Sequence, residues 1–121
     1  MKIKRIEHSF SVCKLEDIAA ADLSCEFCFI GKTDEEVSLV CPTEDVPEKM
    51  VKRDDGWRAF RIEGVLDFSL VGILSRIAGL LANNGISIFA VSTFNTDYVL
   101  TKEADYTRAL TLLEKAGYTI V

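Results

Sequence analysis

The sequence has one histidine, two prolines and seven glycines in 121 residues, and no apolar run that approaches the roughly 18 residues a membrane-spanning helix needs. Each scarcity excludes something. With His8 as the sole imidazole, nucleophile–base chemistry has one candidate pair, His8 with Cys13, and no second if that pair is not assembled. Few glycines and prolines, beside 49% hydrophobic and 27% charged residues, exclude a disordered or collagen-like chain. Basic residues are outnumbered 14 to 19, and a net charge of −5 leaves no basic stripe, so neither nucleic acid nor an anionic membrane is an expected partner. A phosphate-binding P-loop, a dinucleotide glycine fingerprint and zinc-ligand spacing are all missing, so no cofactor and no metal are expected. The opening MKIKRIEHSF lacks an apolar stretch of signal-peptide length, which makes a cytoplasmic location the expectation. What remains is a binder rather than an enzyme.

Four cysteines are present: Cys13, Cys25, Cys28 and Cys41. Cys25 and Cys28 have the spacing of a redox or metal hairpin. They lie in a β-rich run, however, where residues three apart point to opposite faces, so all four thiols are expected to act as small hydrophobes.

The second half carries the clearer pattern. Over 69–84, Leu70, Leu74, Ile77, Ala78 and Leu81 repeat at three- and four-residue steps, which predicts a helix capped by Asp67 or Ser69 and stopped by Gly85. A second helix is predicted over 104–116, burying Tyr106, Ala109, Leu110 and Leu113 and ending before Gly117. Strands are predicted at 57–65, 86–94, 98–101 and 118–121, the middle two forming a hairpin. The order βαββαβ predicts an α+β protein, a ferredoxin-like two-layer sandwich.

The first half reads as a shorter, divergent copy. A strand at 10–15, a short helix at 16–21, a hairpin of 26–32 with 37–41 around 33–36, and a short helix at 47–51 repeat the order. FIGKTDEEVSLV from Phe29 echoes AVSTFNTDYVL from Ala90 with a one-residue offset. Two modules are therefore expected, 1–56 and 57–121, with a strand near 57–63 that serves both.

Two segments have the chemistry of a binding site. The loop 64–72 enters the first long helix at its N-terminus, where unpaired N–H groups and the helix dipole hold a carboxylate; its candidates are Asp67, Phe68, Ser69, Leu70, Val71 and Gly72. Asp67 either serves that site or simply caps the helix, and Gly72, placed one turn inside the helix, either admits a ligand or packs on the sheet. The hairpin tip offers Ser92, Thr93, Phe94, Asn95 and Asp97, with Asp97 as the partner for a ligand cation, or else it is an ordinary polar turn. Along 86–94 apolar side chains alternate to both faces, and helices cover only one, so a homodimer is expected to use the other.

These residues carry a resemblance. WRAFRIEG at 57–64, DFSLVGIL at 67–74 and GISIFAVSTFNTDYVL at 85–100 resemble small bacterial tandem ACT-domain proteins and the ACT domains of CASTOR-type cytosolic arginine sensors of animals. The resemblance implies βαββαβ regulatory modules that bind a free amino acid at module interfaces and signal to a regulated protein partner. It implies that Thr93, Phe94 and Asp97 match residues of the arginine pocket, and that Gly72 matches a loop glycine beside the ligand. Leu70 departs from an acidic residue of the sensor loop, which shifts the expected ligand from arginine towards a neutral or aliphatic amino acid.

Overall fold

A computed structural model of the chain describes residues 1–63 and 72–121. The strands are β1 (Lys2–Leu15), β2 (Phe29–Lys32), β3 (Val37–Pro42), β4 (Lys52–Ile62), β5 (Ile88–Ser92), β6 (Asp97–Lys102) and β7 (Thr119–Ile120). The helices are α1 (Ile73–Asn83) and α2 (Glu103–Lys115), with short 3-10 turns at Ile18–Ala20 and Thr43–Asp45. Two compact units result: one of residues 1–7 and 58–121, the other of residues 8–57, so β1 and β4 each contribute to both.

In the first unit the strand order is β7-β1-β4-β6-β5. In a bare βαββαβ unit the last strand pairs with the first. Here the first residues of β1 stand between them. β7 pairs in parallel with β1 through Lys2↔Thr119 and Ile3↔Ile120, while the Glu63 N–H donates to the Lys2 carbonyl on the β4 side. The sequence reading gave β1 a start at residue 10, because charged residues dilute the alternation of its first eight positions. Even so, Ile3 and Ile6 are buried among exposed neighbours.

One core holds this unit together. Ile77 and Leu81 of α1, Tyr106, Ala109 and Leu113 of α2, and Ile3, Phe60, Ile62 and Val99 of the sheet pack in one cluster, so both helices cover the same face. Full burial of a side chain the size of Ile77 or Leu81 stabilises by about 1.5–3 kcal/mol. The helical stops are as expected: Gly85 and Gly117 take positive φ, +74° and +104°, which glycine adopts without steric cost. The start of α1 differs from expectation. Gly72, at φ +86°, caps the helix rather than lying one turn inside it, and α1 begins at Ile73. The expected caps Asp67 and Ser69 lie outside the described residues.

The second unit contains the β2–β3 hairpin, with β3 antiparallel to β1 from Phe10↔Pro42 to Leu15↔Val37. Its small core is Cys13, Leu15, Leu39 and Cys41, with Cys28, Ile30 and Met50 packed against it. Asp17 caps the first 3-10 turn, its carboxylate accepting from the Ala19 N–H at 2.9 Å. No helix forms at 47–51; the turn falls earlier, at Thr43–Asp45, and ends before Pro47, which disfavours helical backbone in the residue preceding it.

The cysteines divide into two pairs. Cys13 and Cys41 are buried hydrophobes, as expected. Cys25 and Cys28 precede β2, so strand alternation does not apply to them. The Cys25 thiol donates to the carbonyls of Asp22 (3.0 Å) and Phe27 (3.3 Å), and Cys28 lies beside it rather than on an opposite face. His8 is not paired with Cys13: its ring nitrogens lie 3.6 Å from Glu26 and 3.8 Å from Glu44, and its edge meets Phe10 and Phe27. Among the described residues no group of three or more His, Cys, Asp or Glu side chains could hold a metal.

The hairpins of the two units share a turn. Thr33 N–H donates to the Glu36 carbonyl at 2.9 Å, and Thr93 N–H donates to the Thr96 carbonyl at 2.8 Å; the strands end and resume at equivalent positions. The geometric offset is therefore 93 − 33 = 60 residues, matching Phe29 to Phe89. The one-residue slip in the sequence alignment disappears.

Candidate ligand site

The β5–β6 hairpin and the end of β4 build a small open site in the first unit. Pairing from Ile88↔Thr101 to Ser92↔Asp97 leaves four residues, 93–96, to make the turn. Thr93 closes it: its hydroxyl donates to the Thr96 carbonyl at 3.0 Å, beside the backbone bond between the same residues. Thr96 then turns inward. Its buried hydroxyl donates to the Ile62 carbonyl at 2.7 Å, which fixes the tip against the end of β4.

That strand end brings charge. Arg61 Nε donates to the Glu63 carboxylate at 3.1 Å, and its Nη1 donates to the Tyr98 hydroxyl at 3.1 Å. The hydrogen bond to Tyr98, then that to Glu63, raises the guanidinium pKa further, so Arg61 is a permanent cation. A guanidinium has five N–H donors, and these bonds use two. Arg61, Ile62, Glu63, Thr93, Asn95, Thr96 and Tyr98 line an opening of about 290 Å³. Cation, carboxylate, amide and hydroxyl thus face one space the size of a small metabolite.

The expected site residues divide. Thr93 and Asn95 line the opening. Ser92, Phe94 and Asp97 are not among its walls: the Ser92 hydroxyl donates to Asp97 at 2.6 Å, so the carboxylate expected to meet a ligand cation is engaged within the hairpin. Phe94 is 89% exposed. Among the described residues a Cβ on Gly72 would meet nothing nearer than the Arg76 guanidinium at 4.0 Å, and its φ of +86° is a conformation that favours glycine. Asp67, Phe68, Ser69, Leu70 and Val71 lie outside the described residues.

Arg61, Glu63 and Thr96 escaped the sequence reading. The signal was available in Arg61-Ile-Glu63: two residues apart in a strand, the opposite charges share a face directly before the glycine of the candidate loop.

Comparison with known proteins follows the same segment. The ACT domain family profile matches residues 52–115. Over 60 residues the chain is 38% identical to the rat cytosolic arginine sensor for mTORC1 subunit 1; the match covers 49% of this chain and 18% of that protein, so the chain spans under a fifth of that relative's length. The crystal structure of protein Atu0741 from Agrobacterium tumefaciens is similar over 99% of this chain and 91% of that one, with a TM-score of 0.87 and 35% identity. Aspartate kinase from Clostridium acetobutylicum shares the fold alone, at 13% identity and a TM-score of 0.67 over 94% of this chain and 33% of that one.

Proposed function

The chain belongs to the ACT domain family, and from that premise we propose that it is a non-catalytic regulatory or sensor protein that binds a free amino acid. ACT domains are regulatory amino-acid-binding domains, and the arginine sensor and the allosteric aspartate kinase among its likenesses accord with that role. The observation that carries the reading is the opening between the hairpin tip and the end of β4. It sets a guanidinium and a carboxylate 3.1 Å apart at the wall of a cavity that fits a small zwitterion.

In this reading the ligand carboxylate binds the unused N–H groups of Arg61, and its ammonium takes Glu63 and the Asn95 side-chain carbonyl. Asp67, Phe68, Ser69, Leu70, Val71 and Gly72 remain candidate ligand contacts in this reading. Arg61 supplies the contact for the anionic end of the ligand, and Asp97 remains a candidate for a cationic end. Leu70 favours a neutral or aliphatic side chain over arginine. A tandem arrangement of modules, 1–56 and 57–121, draws support from the two hairpins that share one turn at an offset of 60 residues. A homodimer, a regulated protein partner and a cytoplasmic setting belong to the same reading; among the described residues no helix is long and apolar enough to cross a membrane.

Calorimetry and thermal shift against the twenty amino acids test it. Saturable binding of at least one at millimolar concentration is expected, and a flat response to all twenty would overturn the sensor reading. A second reading, a protein-interaction module without a small ligand, is favoured by Phe94 alone, an aromatic 89% exposed at the hairpin tip. A pull-down without added ligand separates the two: a ligand-independent complex lost in Phe94→Ser, with no amino acid bound by the parent chain, would favour the interaction module.

A further inference from the structure

A second cleft in the first unit lies along α2, away from the hairpin tip. It holds about 360 Å³, and Arg5, Glu7, Arg58, Tyr106, Leu110 and Glu114 are among its walls. Strand alternation puts Arg58 on the face of β4 that carries Phe60 and Ile62, under the helices, where apolar residues are the rule. Its guanidinium lies over the Tyr106 ring, 4.6 Å from the centroid, and the ring is held by the Tyr106 hydroxyl donating to the Ala59 carbonyl at 2.6 Å.

Among the described residues no group satisfies every donor of this guanidinium. Nε is buried without a hydrogen-bond partner, and Nη2 lies 3.8 Å from Glu7, an ion pair beyond hydrogen-bond length to a carboxylate that is itself largely exposed. On β1, Arg5 presents a second guanidinium to the same cleft, and its Nε makes only a 3.4 Å contact with the Val121 carbonyl. Leu110 and Ile120 supply apolar wall. Arg58, with one orphaned donor, and the exposed Arg5 together offer guanidinium N–H groups that recognise a planar oxyanion in forked geometry. Glu7 and Glu114 at the same cleft add negative charge that disfavours a dianion such as phosphate.

We propose that this cleft is a second binding site, for a small aliphatic monocarboxylate, with the carboxylate on Arg58 and Arg5 and the hydrocarbon chain along Leu110 and Ile120. It is independent of the amino-acid site at the hairpin tip.

The test is NMR of the full chain with 15N-arginine side chains, titrated with sodium butyrate, sodium acetate, inorganic phosphate and sodium chloride at matched ionic strength. A saturable shift of the Arg58 Nε–Hε resonance is expected with butyrate, tighter than with acetate because of the apolar wall. Arg58→Lys keeps the charge and loses the fork, so butyrate should bind about tenfold more weakly. If that variant folds poorly, Arg5→Lys, at an exposed position, is expected to weaken binding in the same direction. Arg61→Lys, at the other site, should leave the butyrate response unchanged. A shift that chloride reproduces, tighter binding of phosphate than butyrate, or butyrate affinity unaltered in both the Arg58 and Arg5 variants would each overturn the proposal.

Discussion

The Thr96 hydroxyl donates to the Ile62 carbonyl across 2.7 Å, joining a hairpin tip to a strand 34 residues earlier in the chain. This bond joins the turn itself to β4, beside the pairing of β4 with β6 and the Arg61–Tyr98 hydrogen bond. It helps to keep Thr93 and Asn95 at a fixed distance from Arg61 and Glu63.

Thr96→Val is isosteric but leaves the Ile62 carbonyl without its donor. A loss of about 1–3 kcal/mol is expected by urea denaturation, together with weaker amino-acid binding. Thr96→Ser should recover most of both, and a Val variant as stable as the parent would remove the anchoring role.

Arg61→Gln removes the cation while retaining hydrogen-bond donors. Amino-acid affinity measured by calorimetry should fall about tenfold or more, since charge-assisted bonds are roughly twice as strong as neutral ones. Asp97→Asn, by contrast, should alter affinity less, because Asp97 is not among the walls of the opening and already accepts from Ser92. If the two variants rank the other way, the ligand sits on the far side of the hairpin.

Gly72→Ala places a side chain at φ +86°, where L-residues are strained whatever the space around them. A destabilisation of about 1–2 kcal/mol is expected. The same change at Gly79, inside α1 with open space around it and no positive φ, should instead stabilise by about 0.5–1 kcal/mol. Thermal denaturation of the pair gives the sign of each.

Burial in the second unit pushes the Cys41 thiol from an ordinary 9.0 up to about 12, and burial moves Cys13 in the same direction. Between those values the unfolded chain has lost the Cys41 proton and the folded chain still holds it, so the native state binds more protons. Stability contributed by the neutral thiol is complete below pH 9 and falls as pH rises towards 12, by about 1.4 kcal/mol per pH unit for one such group. Urea midpoints at pH 8 and pH 10 should differ accordingly, and Cys41→Ala should flatten the decline.

Much of the first unit was legible because its helices bury one stripe and end at Gly85 and Gly117, local signals that a single segment carries. The start of β1 was hidden, since Lys2, Lys4, Arg5 and Glu7 mask the two buried isoleucines whose role depends on β7, at the other end of the sequence. At the site, turn chemistry pointed to Thr93, Asn95 and Asp97 alike, and only the side-chain geometry shows that the first two line the opening while Asp97 accepts from Ser92. Arg61 and Glu63 are not singled out within their strand, because nothing local ties Arg61 to Tyr98, 37 residues away.

The pairing of Lys2 with Thr119 has a consequence for the order of assembly. On a ribosome the second unit, residues 8–57, is complete before α1 is made, whereas the first must wait for β7, and meanwhile its opening strand has no β7 to pair with. Folding of the first unit is thus a late event that closes 117 residues of chain at once, the separation of Lys2 and Thr119. Released chains should acquire amino-acid binding only after the final strand emerges.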